Sequence, residues 1–259
     1  MSGTPARSMA LPAAVAVGVL VAWAGLASRL PEVLLPGPIS VAHAVVDRWE
    51  LLGRSALSTA GSAGLGLLIG SAVGLGLGVG FLWSRALELA VYPYALLLQT
   101  LPVVAVAPLL VVWLGYGAPV AVASAALVSF FPMLTAAHVG LLGVDPEQVE
   151  LFRLYGASRL QELRWLRAPS ALPAVFAGLR TAAGLSVIGA IVGEFVGSNG
   201  EPPSLGYLVL RSARSADTAL TFAAVIAAAC LAGVVYWAVR TAEARLIGPW
   251  HPGQGGGRA

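Results

Sequence analysis

Long apolar stretches, separated by short polar ones, run through most of the chain. A helix needs about 20 consecutive, mostly apolar residues to cross a lipid bilayer. Six stretches approach or exceed this length, so the pattern predicts an all-α, polytopic membrane protein with about six transmembrane helices. The predicted spans are approximately Met9–Ala27, Leu57–Trp83, Tyr92–Leu114, Pro119–Leu142, Pro173–Val196 and Ala219–Val239.

The composition agrees with this pattern, since 58% of the 259 residues are apolar and only 10% are charged. Soluble domains carry about 25% charged residues, so membrane lipid is the expected surrounding. All 15 basic residues are arginines, and their placement is explained by membrane topology rather than by binding to nucleic acid. Nine arginines fall on one side of the predicted spans and five on the other. Because basic residues concentrate in cytoplasmic loops, both termini and the central loop are predicted to be cytoplasmic.

The N-terminal stretch has some features of a signal peptide, with Arg7 before an apolar run and Ala-Trp-Ala at positions 22–24. The run is longer than the roughly 7–15 residues of a signal-peptide core. We therefore expect a first span that is retained in the mature protein.

Three parts of the chain follow from these patterns. Residues 1–56 are predicted to form the first span and an outer segment. In that segment, helical spacing of apolar residues after Ser40 favours an amphipathic helix on the outer face, and a loop packed on the helical bundle is the alternative. Residues 57–248 form the core, with a cytoplasmic loop at 144–173. Residues 249–259 are rich in glycine and are predicted to form a flexible tail.

Four glycines repeat every four residues in the second span, at Gly66, Gly70, Gly74 and Gly78. This spacing places them on one face of a helix, where another backbone can approach closely. We expect that face to pack against a helix of the same subunit, and a seam between two copies is the alternative.

Polar residues inside the spans are few. Those expected to line a path through the membrane, with hydrogen bonding between helices as the alternative, are Gln99, Thr100, Ser129 and Ser186. Arg180 and Glu194 are charges within the fifth span, and such charges normally face the protein interior. Arg180 lies close enough to the predicted cytoplasmic interface for its side chain to reach it.

The reactive residue types do not form a constellation. The single cysteine, Cys230, lies in an apolar stretch and is expected to be a packed free thiol, so neither a disulfide nor a Cys-based metal site is predicted. The three histidines are scattered, and His138 is expected to be a hydrogen-bonded packing residue. No cofactor and no intramembrane catalytic site are predicted.

The loop at 144–173 carries signals for two short helices. Asp145 is a predicted N-cap with Pro146 at the first helical position, and Gly156 is predicted to end this helix in the left-handed conformation. Ser158, with Gln161 three residues later, predicts a second helix, which Pro169 is expected to stop. The loop is thus predicted to be a structured lever between two spans.

Glu150, Gly156 six residues later and Leu166-Arg-Ala-Pro169 together resemble the EAA loop of bacterial ABC-importer membrane permeases. Leu151 and Phe152 stand where that loop has two alanines. Further motif positions of the resemblance, which is greatest to the nitrate, sulfonate and taurine branch, are Leu101-Pro102, Ala107-Pro108-Leu109, Phe130-Phe131-Pro132, Gly178-Leu179-Arg180, Glu194 and Leu205-Gly206-Tyr207.

The resemblance implies a type I permease fold in the bacterial inner membrane and a set of partners: two ATP-binding subunits, an external substrate-binding protein and a second permease copy. It implies a small solute as substrate, of the sulfonate, taurine, nitrate or vitamin-precursor type. Arg180 and Glu194 become structural or gating positions. The residues that it places against the ATPase are Glu150, Gly156, Ala157, Ser158, Arg159, Leu160 and Pro169.

An energy source within the chain is not expected, because a P-loop requires a lysine and the sequence contains none. A structured cytoplasmic loop without an ATP site favours a permease that depends on a separate ATPase. A secondary transporter or channel, not powered by ATP, is the alternative.

Overall fold

The fold is that of a computed structural model, which describes residues 5–200 and 203–246, with side chains from residue 13 onward. All regular elements in these ranges are helical, as predicted. The predicted flexible tail at 249–259 lies outside the described residues. The helices are α1 Pro5–Ala27, α2 Pro38–Asp47, α3 Trp49–Trp83, α4 Arg85–Leu98, α5 Val103–Leu114, α6 Ala118–Leu142, α7 Pro146–Leu154, α8 Arg159–Glu162, a π-helical turn Leu163–Arg167, α9 Ala168–Gly197, α10 Leu205–Arg214 and α11 Thr218–Leu246.

Three long helices form the centre of the bundle, with α6 packed between α3 and α9. The glycine face predicted on α3 lies in this core: a side chain at Gly74 would come within 2.8 Å of the backbone nitrogen of Leu134 on α6. Gly66, Gly70 and Gly78 also meet α6, so the prediction of close packing within the subunit is confirmed. On the other side of α6, Gly189 of α9 would clash with α6 in the same way, with the carbonyl of Ser124 at 2.8 Å.

The number of long apolar helices is lower than the six that the pattern predicts. In the described residues, four helices are long and apolar enough to cross a membrane: α3, α6, α11 and the continuous helix Arg159–Gly197. The pair α4 and α5 gives a fifth span if both count as one, and the part of α1 whose side chains are described, Ala13–Ala27, is apolar as well.

The predicted third span, Tyr92–Leu114, is not one helix. The chain breaks after Leu98, and α4 and α5 meet at an angle of 106°. Pro102 explains the break, because proline disfavours helical geometry in the residue before it and cannot donate a backbone hydrogen bond. The result is a bent pair rather than a straight crossing.

Pro169 does not end the second short helix, which is a further correction. The helix runs on through the π-helical turn into α9, where Pro169 lies in the first turn. In the π-helical turn, Ala168 donates its N–H to the carbonyl of Leu163, five residues back. A proline conflicts with the carbonyl four residues back in a regular helix, and the wider turn relieves this conflict.

The outer segment contains a helix, and this helix also packs on the bundle. Val41 of α2 is buried in a cluster with Leu52, Leu208 and Leu220, so the segment combines the predicted helix with the bundle packing of the alternative, and its placement on the outer face stays a prediction. The predicted outer segment extends to residue 56, but residues 49–56 belong to the first turns of the 35-residue α3. Cys230 is a free thiol as predicted, but it lies on an exposed face of α11 rather than in the packed interior.

Candidate coupling segment and translocation path

The central segment, residues 144–173, begins with a capped helix. The carboxylate of Asp145 accepts a hydrogen bond of 3.0 Å from the N–H of Glu147, and Pro146 occupies the first turn. Val149 is buried on the inner side of α7. The predicted start of this helix is confirmed.

Gly156 ends α7 in the left-handed conformation, with φ of 75°. The N–H of Gly156 donates to the carbonyl of Arg153 at 2.9 Å, and the N–H of Ala157 donates to the carbonyl of Phe152 at 3.0 Å. These bonds satisfy carbonyl groups at the end of the helix. The chain therefore turns sharply at the predicted glycine.

The second short helix starts with a complete capping box. Ser158 Oγ accepts from the N–H of Gln161 at 3.3 Å, and Gln161 Oε1 accepts from the N–H of Ser158 at 2.7 Å. Both bonds are those expected for the Ser-x-x-Gln spacing. The two short helices and the turn between them are thus fixed by local interactions.

Glu162 ties the central segment to the bundle, and the sequence pattern did not point to it. This residue is buried, and its carboxylate pairs with Arg167 at 2.6 Å and with Arg153 at 3.3 Å. Arg167 also donates to the carbonyl of Leu141 at the end of α6, at 2.7 Å. The partners lie nine and five residues from Glu162, which is not helical spacing, so no periodicity could have identified the cluster.

Large apolar side chains remain exposed on this framework. Leu154 and Tyr155 have exposed fractions of 79% and 85%, and three further residues, Leu151, Leu160 and Trp165, are also exposed. Of the residues predicted to meet an ATPase, Ala157 is half-buried, and the exposed ones are Glu150, Gly156, Ser158, Arg159, Leu160 and Pro169. The central segment therefore presents an apolar surface that no residue in 5–200 or 203–246 covers.

The four residues predicted to line a path lie in two different environments. Gln99 and Thr100 are exposed at the break between α4 and α5, where the Thr100 hydroxyl donates to the carbonyl of Leu97. Ser129 and Ser186 are fully buried, and their hydroxyls donate to the carbonyls of Ala125 and Ala183 in their own helices. This conformation brings neither serine to a surface that a solute can reach.

The charge at Arg180 has a partner that the local sequence did not reveal. Arg180 Nη1 lies 2.5 Å from Glu243 Oε2 on α11, a contact across 63 residues. The side chain therefore forms an ion pair between α9 and α11 and is held within the bundle by this partner.

Glu194 joins three helices near the other end of α9. Its Oε2 accepts hydrogen bonds from Thr59 Oγ1 of α3 at 3.0 Å and from the N–H of Gly206 of α10 at 2.9 Å. Thr59 Oγ1 in turn accepts from the N–H of Leu205 at 3.0 Å. The carboxylate thus fixes the start of α10 against α3, a structural role that fits a motif position.

His138 is a packed residue with a hydrogen-bonding partner, as predicted. Its Nε2 lies 3.0 Å from Glu88 Oε1, and its ring stacks on Tyr92 with a centroid distance of 4.0 Å. Arg85 also pairs with Glu88 at 2.6 Å. This cluster fastens α4 to the end of α6.

The sequence matches a family model described as the binding-protein-dependent transport system inner membrane component, over residues 66–248. It is 35% identical to the formylaminopyrimidine transport permease protein ThiX of Halalkalibacterium halodurans, over 85% of this chain and 87% of that protein. It is also 35% identical to the riboflavin transport system permease protein RibX of Chloroflexus aurantiacus, over 90% of this chain and 87% of the relative. A putative aliphatic sulfonates transport permease protein, SsuC of Bacillus subtilis, is 28% identical over 93% of this chain and 86% of its own length.

The fold is similar to a chain of the methionine ABC transporter MetNI, solved in an inward-facing conformation. The TM-score is 0.66 at 18% sequence identity, and the match covers 76% of this chain and 96% of the other. Fold and family together favour an ATP-driven importer over a secondary transporter or channel. This chain is a member of the family of binding-protein-dependent transport system inner membrane components, and it is a multi-pass permease subunit of an ABC importer for small solutes, whose ATPase is a separate subunit.

Proposed function

We propose that the central segment is the element through which this permease meets its ATP-binding subunit. The exposed apolar surface on a fixed framework supports this role. Two capped helices, a glycine turn and the buried Glu162 cluster hold the segment in place, while Leu154 and Tyr155 remain largely exposed. Exposed aromatic side chains such as that of Tyr155 act as anchors in protein interfaces.

The docking proposal is tested by introducing a charge into this surface. Tyr155→Glu should abolish copurification of the ATPase, because burying an unpaired carboxylate at an interface is strongly unfavourable. Ile39→Glu is the matched control, since Ile39 is exposed to a similar degree on α2, on the predicted outer face. Retention of the ATPase by the Tyr155→Glu variant would argue against docking through this segment.

The proposed topology places both termini and the central segment in the cytoplasm. Four arginines of the central segment, at positions 153, 159, 164 and 167, support this orientation. A reporter fused to the C-terminus that is active only in the cytoplasm tests the orientation.

The proposed assembly contains two copies of this permease, two ATP-binding subunits and one external binding protein. Two observations support a second copy: the polar lining available within one chain is sparse, and α5 exposes Val112 and Trp113, among other apolar residues. The path would then run between the copies, beside Gln99 and Thr100. Ser129 and Ser186 would join it only in a conformation that separates α6 from α9. A mass measurement of the intact complex tests the stoichiometry, and a single copy would make the partner a paralogous permease.

The proposed substrate is a small solute of the sulfonate, taurine, nitrate or vitamin-precursor type. The functions named for the relatives, which include formylaminopyrimidine, riboflavin and aliphatic sulfonate transport, support this range. ATPase stimulation by the purified binding protein, loaded with one candidate at a time, would select among these solutes.

A further inference from the structure

A small basic cavity lies between the end of α3 and the central segment. Its volume is about 90 Å³, which is roughly the share of three water molecules in the liquid. The lining residues are Leu82, Trp83, Arg153, Arg159, Glu162 and Arg167.

The cavity carries an excess of positive charge. Three guanidinium groups face one carboxylate, and Glu162 engages only Arg153 and Arg167. The guanidinium group of Arg159 makes no hydrogen bond or ion pair with any residue in 5–200 or 203–246, although its backbone carbonyl accepts from the N–H of Leu163. A guanidinium group presents donors in a planar fork that matches two oxygens of a phosphate group. The charge and the donors of the cavity therefore suit a phosphate anion.

The apolar side of the cavity belongs to the end of a membrane-spanning helix. Leu82 and Trp83 are the last residues of α3, and Trp83 is partly exposed. Tryptophan is enriched at the level of the lipid headgroups, and basic pockets between spanning helices on the cytoplasmic side bind phospholipid headgroups. In the proposed topology, the cavity lies where the cytoplasmic leaflet presents its phosphates.

We propose that this cavity binds the phosphate of an anionic phospholipid headgroup. Arg159 and the free donors of Arg153 hold the phosphate, and Trp83 lies beside the upper part of the lipid. The exposed apolar residues of the central segment do not line the cavity. Arg159 both lines the cavity and is one of the residues that the resemblance places against the ATPase, so the lipid site borders the proposed ATPase surface. The lipid thereby connects the central segment to the composition of the membrane.

The test measures binding of short-chain lipids to the full-length chain purified in a neutral detergent. Dioctanoyl phosphatidylglycerol should bind, and dioctanoyl phosphatidylcholine should bind far more weakly. Arg159→Gln should lower the affinity for the phosphatidylglycerol about fivefold, the order expected for one basic contact near an anionic lipid. The Arg159 side chain has no partner to lose among the described residues, so the variant should keep the unfolding temperature of the wild type.

Arg164→Gln is the matched control, because it removes the same charge from the same segment. Arg164 lies over the ring of Trp165 and does not line the cavity, so this variant should bind like the wild type. Inorganic phosphate, titrated alone and in competition, separates the two sources of the anion. Binding of phosphate with this dependence on Arg159, without binding of the phosphatidylglycerol, supports a phosphate site and overturns lipid as its source. Equal binding of both lipids, or equal losses in the two variants, overturns the proposal.

Discussion

Glu162 and Arg167 form an ion pair, with 2.6 Å between Oε1 and Nε, where the central segment continues into α9. The two side chains are only 7% and 13% exposed, so solvent screens their attraction little. The pair is placed to hold α7 and α8 in a fixed orientation relative to the bundle, because Arg167 also binds the end of α6.

Glu162→Gln should therefore destabilise the permease. Loss of the carboxylate removes charge-assisted hydrogen bonds and leaves Arg167 without its counter-charge, at a cost of about 2 kcal/mol. Glu50→Gln is the control, since Glu50 pairs with Arg54 but both side chains are more than 60% exposed, and such pairs contribute about 0–1 kcal/mol. Thermal unfolding of the two purified variants checks the difference. Equal shifts would mean that the Glu162 cluster adds no more than a surface ion pair.

The helix caps and the turn of the central segment could be predicted from the sequence because each depends on residues close together in the chain. The cap at Asp145, the turn at Gly156 and the Ser158–Gln161 box are of this kind. Glu162 with Arg153, and Arg180 with Glu243, could not be predicted, because tertiary packing rather than helical spacing brings them together. The glycine face of α3 was predictable from its period, but its partner α6 was not.

The predictions of a straight third span and of a helix end at Pro169 were wrong for a common reason. The effect of a proline on a helix depends on the structure around its ring. Pro102 coincides with a break between two helices. Pro169 follows a π-helical turn, which could not be predicted from the sequence. The burial of Ser129 and Ser186 could not be predicted from the sequence pattern either. A serine inside a span can donate a hydrogen bond to a carbonyl of its own helix as readily as it can line a path.

Gly156→Val should impair coupling between ATP hydrolysis and transport. No atom outside the local chain lies within 4 Å of a side chain placed there, but φ of 75° is strained for any residue with a Cβ, by about 1–2 kcal/mol. Gly76→Val is the control, because Gly76 has equally open space and no positive φ. Transport and ATPase rates in reconstituted complexes measure the coupling. Wild-type coupling in Gly156→Val would show that the left-handed turn is dispensable.

Gly74→Leu should prevent α3 and α6 from packing. The new side chain would begin 2.8 Å from the backbone nitrogen of Leu134 and 2.9 Å from the carbonyl of Phe130, and backbone atoms cannot give way as a flexible side chain can. Overpacking of this kind costs about 1–3 kcal/mol or more. Gly76→Leu, two residues away with nothing within 4 Å, should assemble normally. The yield of monodisperse protein after extraction separates the two, and equal yields would contradict the packing role of the glycine face.

Single cysteines at positions 99, 129 and 186, in a Cys230→Ala background, should react differently with a small water-soluble thiol reagent. Removing Cys230 is necessary because its thiol is exposed. Gln99→Cys should react readily, since position 99 is exposed at the break between α4 and α5. Ser129→Cys and Ser186→Cys should react slowly, because both positions are fully buried between helices.

Addition of the binding protein and ATP should change the rate at position 99 if the proposed path runs there. An increase at 129 and 186 under the same conditions would indicate that α6 and α9 separate during transport. Fast reaction at 129 or 186 without either addition, together with a constant rate at 99, would move the path away from the break and into the α6–α9 interface.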